Sequence, residues 1–287
     1  MPPHTTAQKQ AIAQFVTLTN TRDTVASKAL RAAGWNVERA VDAYFGGNQG
    51  PSKNTKVLNE IFDSYRGKRR SSRKRSRKKA NQAVLDDPAD NPDGIGINGA
   101  MKFLEDIGVQ LDEVACLAIF EMCKSPSMGE FTREGFVEGW KSTQCDSKEN
   151  MAQYGKNLRS NIPKDADLFR RVYRFTFLLS RLQGQRNLQF DIAEEQWKLL
   201  FTADRGGVPW NTSETPWLDW WIEFLVERGK KPVNKDLWEQ VEVFMRKSRD
   251  DEEFGWWSAD GAWPGALDDF VAYVQGKRGK SSEMEVE

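Results

Sequence analysis

The chain has 287 residues, enough for one large domain or two smaller ones with a substantial buried core. Its 42 Lys and Arg balance its 42 Asp and Glu, but ten of the fourteen residues from Arg66 to Lys79 are basic, leaving 32 basic residues against 42 acidic ones elsewhere, so two kinds of charged partner surface are present. One histidine, His4, no Cys-x-x-Cys pair and no GxxxxGK[ST] loop argue against His-based catalysis, a cysteine-rich zinc site and a nucleotide cradle; chemistry carried by carboxylates alone stays open.

The chain opens on Met1-Pro2-Pro3-His4-Thr5-Thr6, which has no signal-peptide core, and no apolar run approaches the ~18 residues of a membrane span. No membrane partner is expected. Residues 7–46 then read as three short helices. Ala11, Ile12, Phe15 and Leu18 stand at helical spacing, and Thr19-Asn20-Thr21 breaks the pattern. Thr24 to Ala33 forms the second stretch, with Val25, Ala29 and Leu30 as buried candidates and Gly34 as its stop. Asn36 N-caps the third, which carries Val37, Ala40, Val41, Tyr44 and Phe45 before Gly46-Gly47. The pattern Gly34-Trp35-Asn36-x-x-x-Ala40-Val41-x-x-Tyr44-Phe45 resembles a ubiquitin-associated (UBA) domain. That resemblance implies a ubiquitin-facing patch at Thr19, Asn20, Tyr44 and Phe45. Read from the residues alone, Trp35, Tyr44 and Phe45 equally form a small aromatic core.

Residues 47–56 read as a linker, and Val57, Ile61 and Tyr65 mark a helix from Val57 to Arg66. The basic run follows inside an insertion, 66–85, whose like charges repel and resist folding. It reads as a nuclear-localisation signal, giving an expected location in nucleus and cytoplasm; a nucleic-acid patch and a plain solvated insertion are the alternatives. No aromatic residue interleaves it, so nucleic acid is not an expected partner.

From Asp86 the pattern is helical throughout, with segments near 98–107, 112–124, 132–143, 146–160, 166–183, 190–202, 213–229, 234–248 and 264–276; residues 277–287 read as a tail. Nine of the eleven tryptophans lie between Trp197 and Trp263, which suits a compact bundle whose indole N–H groups find partners at its rim. Gly94-Ile-Gly-Ile97 and Gly129-Glu-Phe131 each lead into a helix, as in paired EF-hands. Calcium needs oxygen ligands at loop positions 1, 3, 5 and 12. The second loop offers Lys124, Pro126, Met128 and Gly135 there, and neither register of the first does better. EF-hand-like geometry without metal is expected.

The stretch Val114–Cys123 has one polar residue, Glu121, and two apolar stripes. Val114, Leu117 and Ala118 form one; Cys116, Ile119, Phe120 and Cys123 form the other. Such a helix is either buried on all sides or lines a groove. Three cysteines, Cys116, Cys123 and Cys145, cannot build a disulfide framework and fit a reducing compartment.

The segments Ile95-Gly-Ile-Asn-Gly-x-x-x-Phe103-x-x-Asp106, Glu130-Phe-Thr-Arg-Glu-Gly-Phe136, Cys145-Asp-Ser147, Asn234-Lys-Asp-x-Trp238 and Gly261-Ala-Trp-Pro264-x-x-x-Asp-Asp-Phe-Val271, in this order, resemble the "defective in cullin neddylation" (DCN) family of the fungal type. The resemblance implies an all-α fold: a UBA-like three-helix domain, then a larger potentiating-neddylation (PONY) domain over 57–276 with EF-hand-like units. It implies a scaffold-type ligase with no catalytic residue or cofactor of its own. Its expected partners are a cullin, the neddylation conjugating enzyme, a cullin-associated RING protein, and ubiquitin or the related modifier through the UBA-like domain. By the same resemblance the cullin-facing patch falls on Asp236, Ala262 and Asp268. The pocket for the acetylated N-terminal methionine of the conjugating enzyme falls on Ile97, Ala100, Cys116, Ile119, Phe120, Cys123, Phe131, Leu179 and Leu199, which selects the groove reading for the over-apolar helix. Without the motifs, Asp236 and Asp268 read as first-turn acids that complement a helix dipole. The basic run, Gly265-Ala266 and the stretch Asp250–Asp260 depart from the family pattern. A ubiquitin-binding adaptor is the competing function.

Overall fold

A computed structural model describes residues 5–19, 21–45, 53–66, 93–258 and 260–284. The chain divides into two compact units, 1–56 and 57–287, each with its own apolar core.

The first unit holds α1 (Thr6–Thr19), α2 (Asp23–Ala32) and α3 (Val37–Phe45). Gly34, at φ +65°, ends α2 in a Schellman motif: its N–H donates to Arg31 O and that of Trp35 to Leu30 O. Two residues on, the Asn36 Oδ1 accepts from Arg39 N and caps α3. Ile12, Phe15, Ala26, Leu30, Ala33 and Ala40 are buried, and Trp35 packs partly buried against them. Two core candidates face solvent instead, Leu18 at 58% exposure and Val25 at 41%. The buried row of α2 runs through Ala26, Leu30 and Ala33, and Val25 lies about 100° off it.

The second unit begins with two helix–loop–helix pairs. The first joins α4 (Lys53–Tyr65) to α5 (Ile97–Asp106) through β1 (Gly94–Ile95); the second joins α6 (Val114–Met122) to α7 (Arg133–Ser142) through β2 (Phe131–Thr132). The two short strands pair antiparallel, Ile95 opposite Phe131. The pairs repeat one packing device. A Cβ on Gly99, four residues after Ile95, would drive into the Tyr65 carbonyl at the end of α4; a Cβ on Gly135, four residues after Phe131, would do the same to the Cys123 carbonyl beyond α6. Only glycine lets the outgoing helix approach the incoming one so closely. This is the EF-hand-like arrangement, and among the described residues no group of three His, Cys, Asp or Glu side chains could hold a metal. The basic run falls between α4 and β1 in the sequence and, apart from Arg66, outside the described residues.

Six helices follow: α8 (Lys148–Asn161), α9 (Ala166–Ser180), α10 (Phe190–Leu200), α11 (Trp217–Glu227), α12 (Lys235–Asp250) and α13 (Gly265–Met284). Ser147, Asp165 and Asn234 cap α8, α9 and α12 with their side-chain oxygens. Two bounds differ from the sequence pattern. Helix α4 begins at Lys53, inside the stretch taken as linker, and α13 runs on to Met284 through residues taken as tail. The extension of α13 has packing behind it: Lys277 pairs with Glu223, and Arg278 donates to the Glu252 carbonyl and to Thr215.

Five of the late tryptophans form the centre, while Trp220, Trp256, Trp257 and Trp263 are partly buried around it. Trp197, Trp210, Trp217, Trp221 and Trp238 are fully buried. Trp238 stacks on Tyr173 at 4.6 Å, its Nε1–H donates to Tyr173 O, and Trp197 Nε1–H donates to Tyr173 Oη. Trp210 Nε1–H finds Ser248 Oγ at 3.0 Å. The indole N–H groups of Trp197, Trp210 and Trp238 find acceptors inside the core, and those of Trp256 and Trp257 find theirs at its edge.

Candidate functional site

Helix α6 carries the residues that sequence places around a groove. Every residue from Val114 to Phe120 is buried, because α7, α8 and α9 all pack against this one helix. In this conformation the second stripe packs as core. Phe120 stacks on Phe131 at 5.1 Å, and Phe131 meets Phe103 and Phe136 edge-on. Ala100, Cys116, Ile119, Cys123 and Leu179 are buried around them, and Leu199 is half-buried against the same core. Burial in apolar surroundings pushes the Cys116 thiol up to about 12 and raises that of Cys123 further, so both are packing groups. Ile97 alone is open, at 53% exposure. It rests on Gly129, where a Cβ would come within 2.9 Å of Ile97 Cγ1. A surface cleft of about 490 Å³ lies on another side of α5, between Asn98, Met101 and Glu105 and the loop Val109–Leu111, and takes none of these residues.

The three acidic-patch residues sit at helix starts and in the loop between them. Asp236 is exposed in the first turn of α12, following its Asn234 cap. Asp268 is half-buried in the first turn of α13. Ala262 is exposed in the preceding loop, where Gly261 N donates to Ser258 O and Trp263 N to Gly261 O. A Cβ on Gly261 would come within 2.9 Å of the Trp263 ring. Both acids stand in the first turn of a helix, where backbone N–H groups point outward.

Sequence reasoning missed one residue here. Trp257 donates from Nε1 to Asp268 Oδ1 at 3.2 Å. It belongs to the stretch Asp250–Asp260, which stands out in the sequence only as aromatic-rich and unlike the family pattern.

Of the residues proposed to face ubiquitin, Thr19 is half-buried at the end of α1, and its hydroxyl donates to Phe15 O. Asn20 and the side chains of Tyr44 and Phe45 lie outside the described residues.

Comparison with known proteins follows this division. A family model described as cullin binding matches residues 150–273, which include Asp236, Ala262 and Asp268 but leave out the paired helix–loop–helix units. A UBA-like model matches residues 9–51. "Defective in cullin neddylation protein 1" of Pyricularia oryzae is 34% identical over 295 residues, covering 99% of this chain and 99% of its own. The protein of the same name from Yarrowia lipolytica is 27% identical, covering 93% and 96%. Human "DCN1-like protein 5" is 33% identical over 179 residues, 62% of this chain and 70% of its own.

Proposed function

The chain belongs to the defective in cullin neddylation family, and from that premise we propose that it promotes cullin neddylation as a scaffold, holding a cullin and the neddylation conjugating enzyme together. One observation carries this reading. Asp236 and Ala262 are exposed and Asp268 half-exposed, within the span that the cullin-binding family model matches. Two carboxylates and a side chain no larger than a methyl group leave room for a basic side chain of the cullin to approach closely.

The scaffold needs no nucleophile or base of its own. Holding a modifier thioester beside an acceptor lysine turns a bimolecular encounter into a nearly unimolecular one, an effect worth up to ~7–11 kcal/mol in well-oriented cases. The conjugating enzyme supplies the chemistry. Its contact, on this reading, is the apolar cluster around Ile119. That cluster is closed here, so seating an acetylated methionine requires its side chains to part, with Ile97 as the exposed member at its edge. Burying one methionine side chain returns about 1.5–3 kcal/mol toward that cost. An acetylated terminus suits such a pocket, because a free ammonium there would lack a partner. A cullin-associated RING protein completes the assembly, and the basic run acts as the nuclear signal in a protein of nucleus and cytoplasm.

A reconstituted neddylation reaction tests the proposal. The chain accelerates cullin modification, and Asp236→Arg or Asp268→Arg abolishes both the acceleration and cullin retention. No acceleration by the unaltered chain removes the function. Acceleration and retention that survive both substitutions remove the cullin site.

The second reading, a ubiquitin-binding adaptor, has one observation in its favour: Leu18 presents apolar surface at 58% exposure beside Thr19 at the end of α1. Chemical-shift changes at Leu18 on adding ubiquitin, lost in Leu18→Glu, support it.

A further inference from the structure

We infer that Trp257 is a positioning residue for cullin recognition, acting through Asp268; this rests on the cullin-site reading above. The loop after α12 is built to hold this indole in place. Asp251 closes it at the base, its carboxylate accepting from Glu253 N and from Gly255 N, while its backbone carbonyl accepts from Trp256 Nε1. Phe254 is turned inward at φ +61°, a conformation that costs a bulky L-residue strain and persists only where packing holds it. The packing is visible: Phe254 is buried against the rings of Trp217 and Phe244, with the Arg278 guanidinium over its face. Trp256 lies against Phe244 and Trp263. With the residues on either side anchored, Trp257 N donates to Phe254 O, and its indole stands half-buried beside α13.

The consequence falls on Asp268. Its Oδ1 receives the indole N–H, which fixes the plane of the carboxylate and leaves Oδ2 for an incoming cation. An exposed aspartate without such a donor samples several rotamers, and binding must then select one of them. The indole N–H is a donor only, so it cannot compete for the cullin's basic group. Asp236 is exposed, and among the described residues of the stretch Asp250–Asp260 none donates to it, so the two acids differ: Asp268 is preset and Asp236 adapts.

A double-mutant cycle on the full chain tests this, with affinity for a purified cullin read by titration calorimetry. Trp257→Phe keeps the ring and removes the N–H; it weakens binding about fivefold while the thermal midpoint stays within a degree or two. Asp268→Ala weakens binding more, and adding Trp257→Phe to it has no further effect, since no carboxylate remains to be held. A purely structural role for Trp257 gives an additive loss and a lower thermal midpoint, and either result overturns the inference alone. If Asp268→Ala binds cullin as well as the unaltered chain, the cullin-site reading falls, and the inference with it.

Discussion

Arg133 donates from Nε to Asp93 at 2.8 Å, joining the first residue of α7 to the residue just before β1. The same guanidinium reaches Asp63 at 2.7 Å and Asn59 at 2.9 Å on α4 and lies over the Phe62 ring, and its backbone N–H donates to Asp93 O. One side chain thus ties the end of α4 to the residue before β1, the described flanks of the segment that carries the basic run.

Arg133→Ala should lower unfolding free energy by about 1–3 kcal/mol, since it strips several charge-assisted hydrogen bonds at once. Arg133→Lys should recover less than half, because a single ammonium cannot serve two carboxylates and an amide in a planar fork. Urea unfolding at low and high salt measures both; a loss below 0.5 kcal/mol for alanine would show that the tie is dispensable.

Gly99→Ala and Gly135→Ala should each destabilise the second unit by about 1–3 kcal/mol or more, because the added methyl group meets backbone carbonyl oxygen that cannot move aside. Gly276→Ala, where a Cβ meets nothing within 4 Å, is the control and should be neutral or slightly stabilising. Equal midpoints for all three variants would contradict the close approach at the paired units.

Acid stability should carry the signature of Asp106. Lys102, followed by the Tyr65 hydroxyl at 2.6 Å, holds its carboxyl at about 2, below the usual 3.8. A depressed folded-state value stabilises the fold above the unfolded value and is lost as the pH falls through the folded one. Asp106→Asn should therefore melt below the parent chain at pH 6, with the gap closing between pH 4 and pH 2. A constant gap across that window would remove Asp106 as its source.

Cys116 and Cys123 should resist alkylation in the folded chain at pH 8 and react fully in denaturant, because burial keeps their thiols protonated. Slow labelling of the native chain then reports opening of the apolar cluster. A peptide with an acetylated N-terminal methionine should slow labelling at Cys116 and Cys123 and leave Cys145 unchanged, as resolved by mass spectrometry. Uniform rates at all three cysteines, with and without peptide, would argue against that pocket.

Periodicity and end signals made the helices of both units legible in the sequence, because capping and amphipathic spacing are local: Asn36 and Gly34 do in space what their positions announce. The paired loops were legible as two glycine turns leading into helices, but their register was not: the structure sets Ile95, not Ile97, opposite Phe131, and Gly99 and Gly135 at the same spacing behind them. Burial was less legible. Val25 and Leu18 fit an apolar pattern yet face solvent, because which row of a helix is covered depends on its neighbours.

By itself the sequence determined an all-helical chain, its charge division and its family. Tertiary structure alone decided the rest. It closed helix α6 on every side, although two apolar stripes can equally line a groove or a core, and only the presence of α7, α8 and α9 around it distinguishes them. It also set Trp257 against Asp268. No local pattern encodes that pairing, because it depends on Phe254 and Trp256 being held by rings from distant helices.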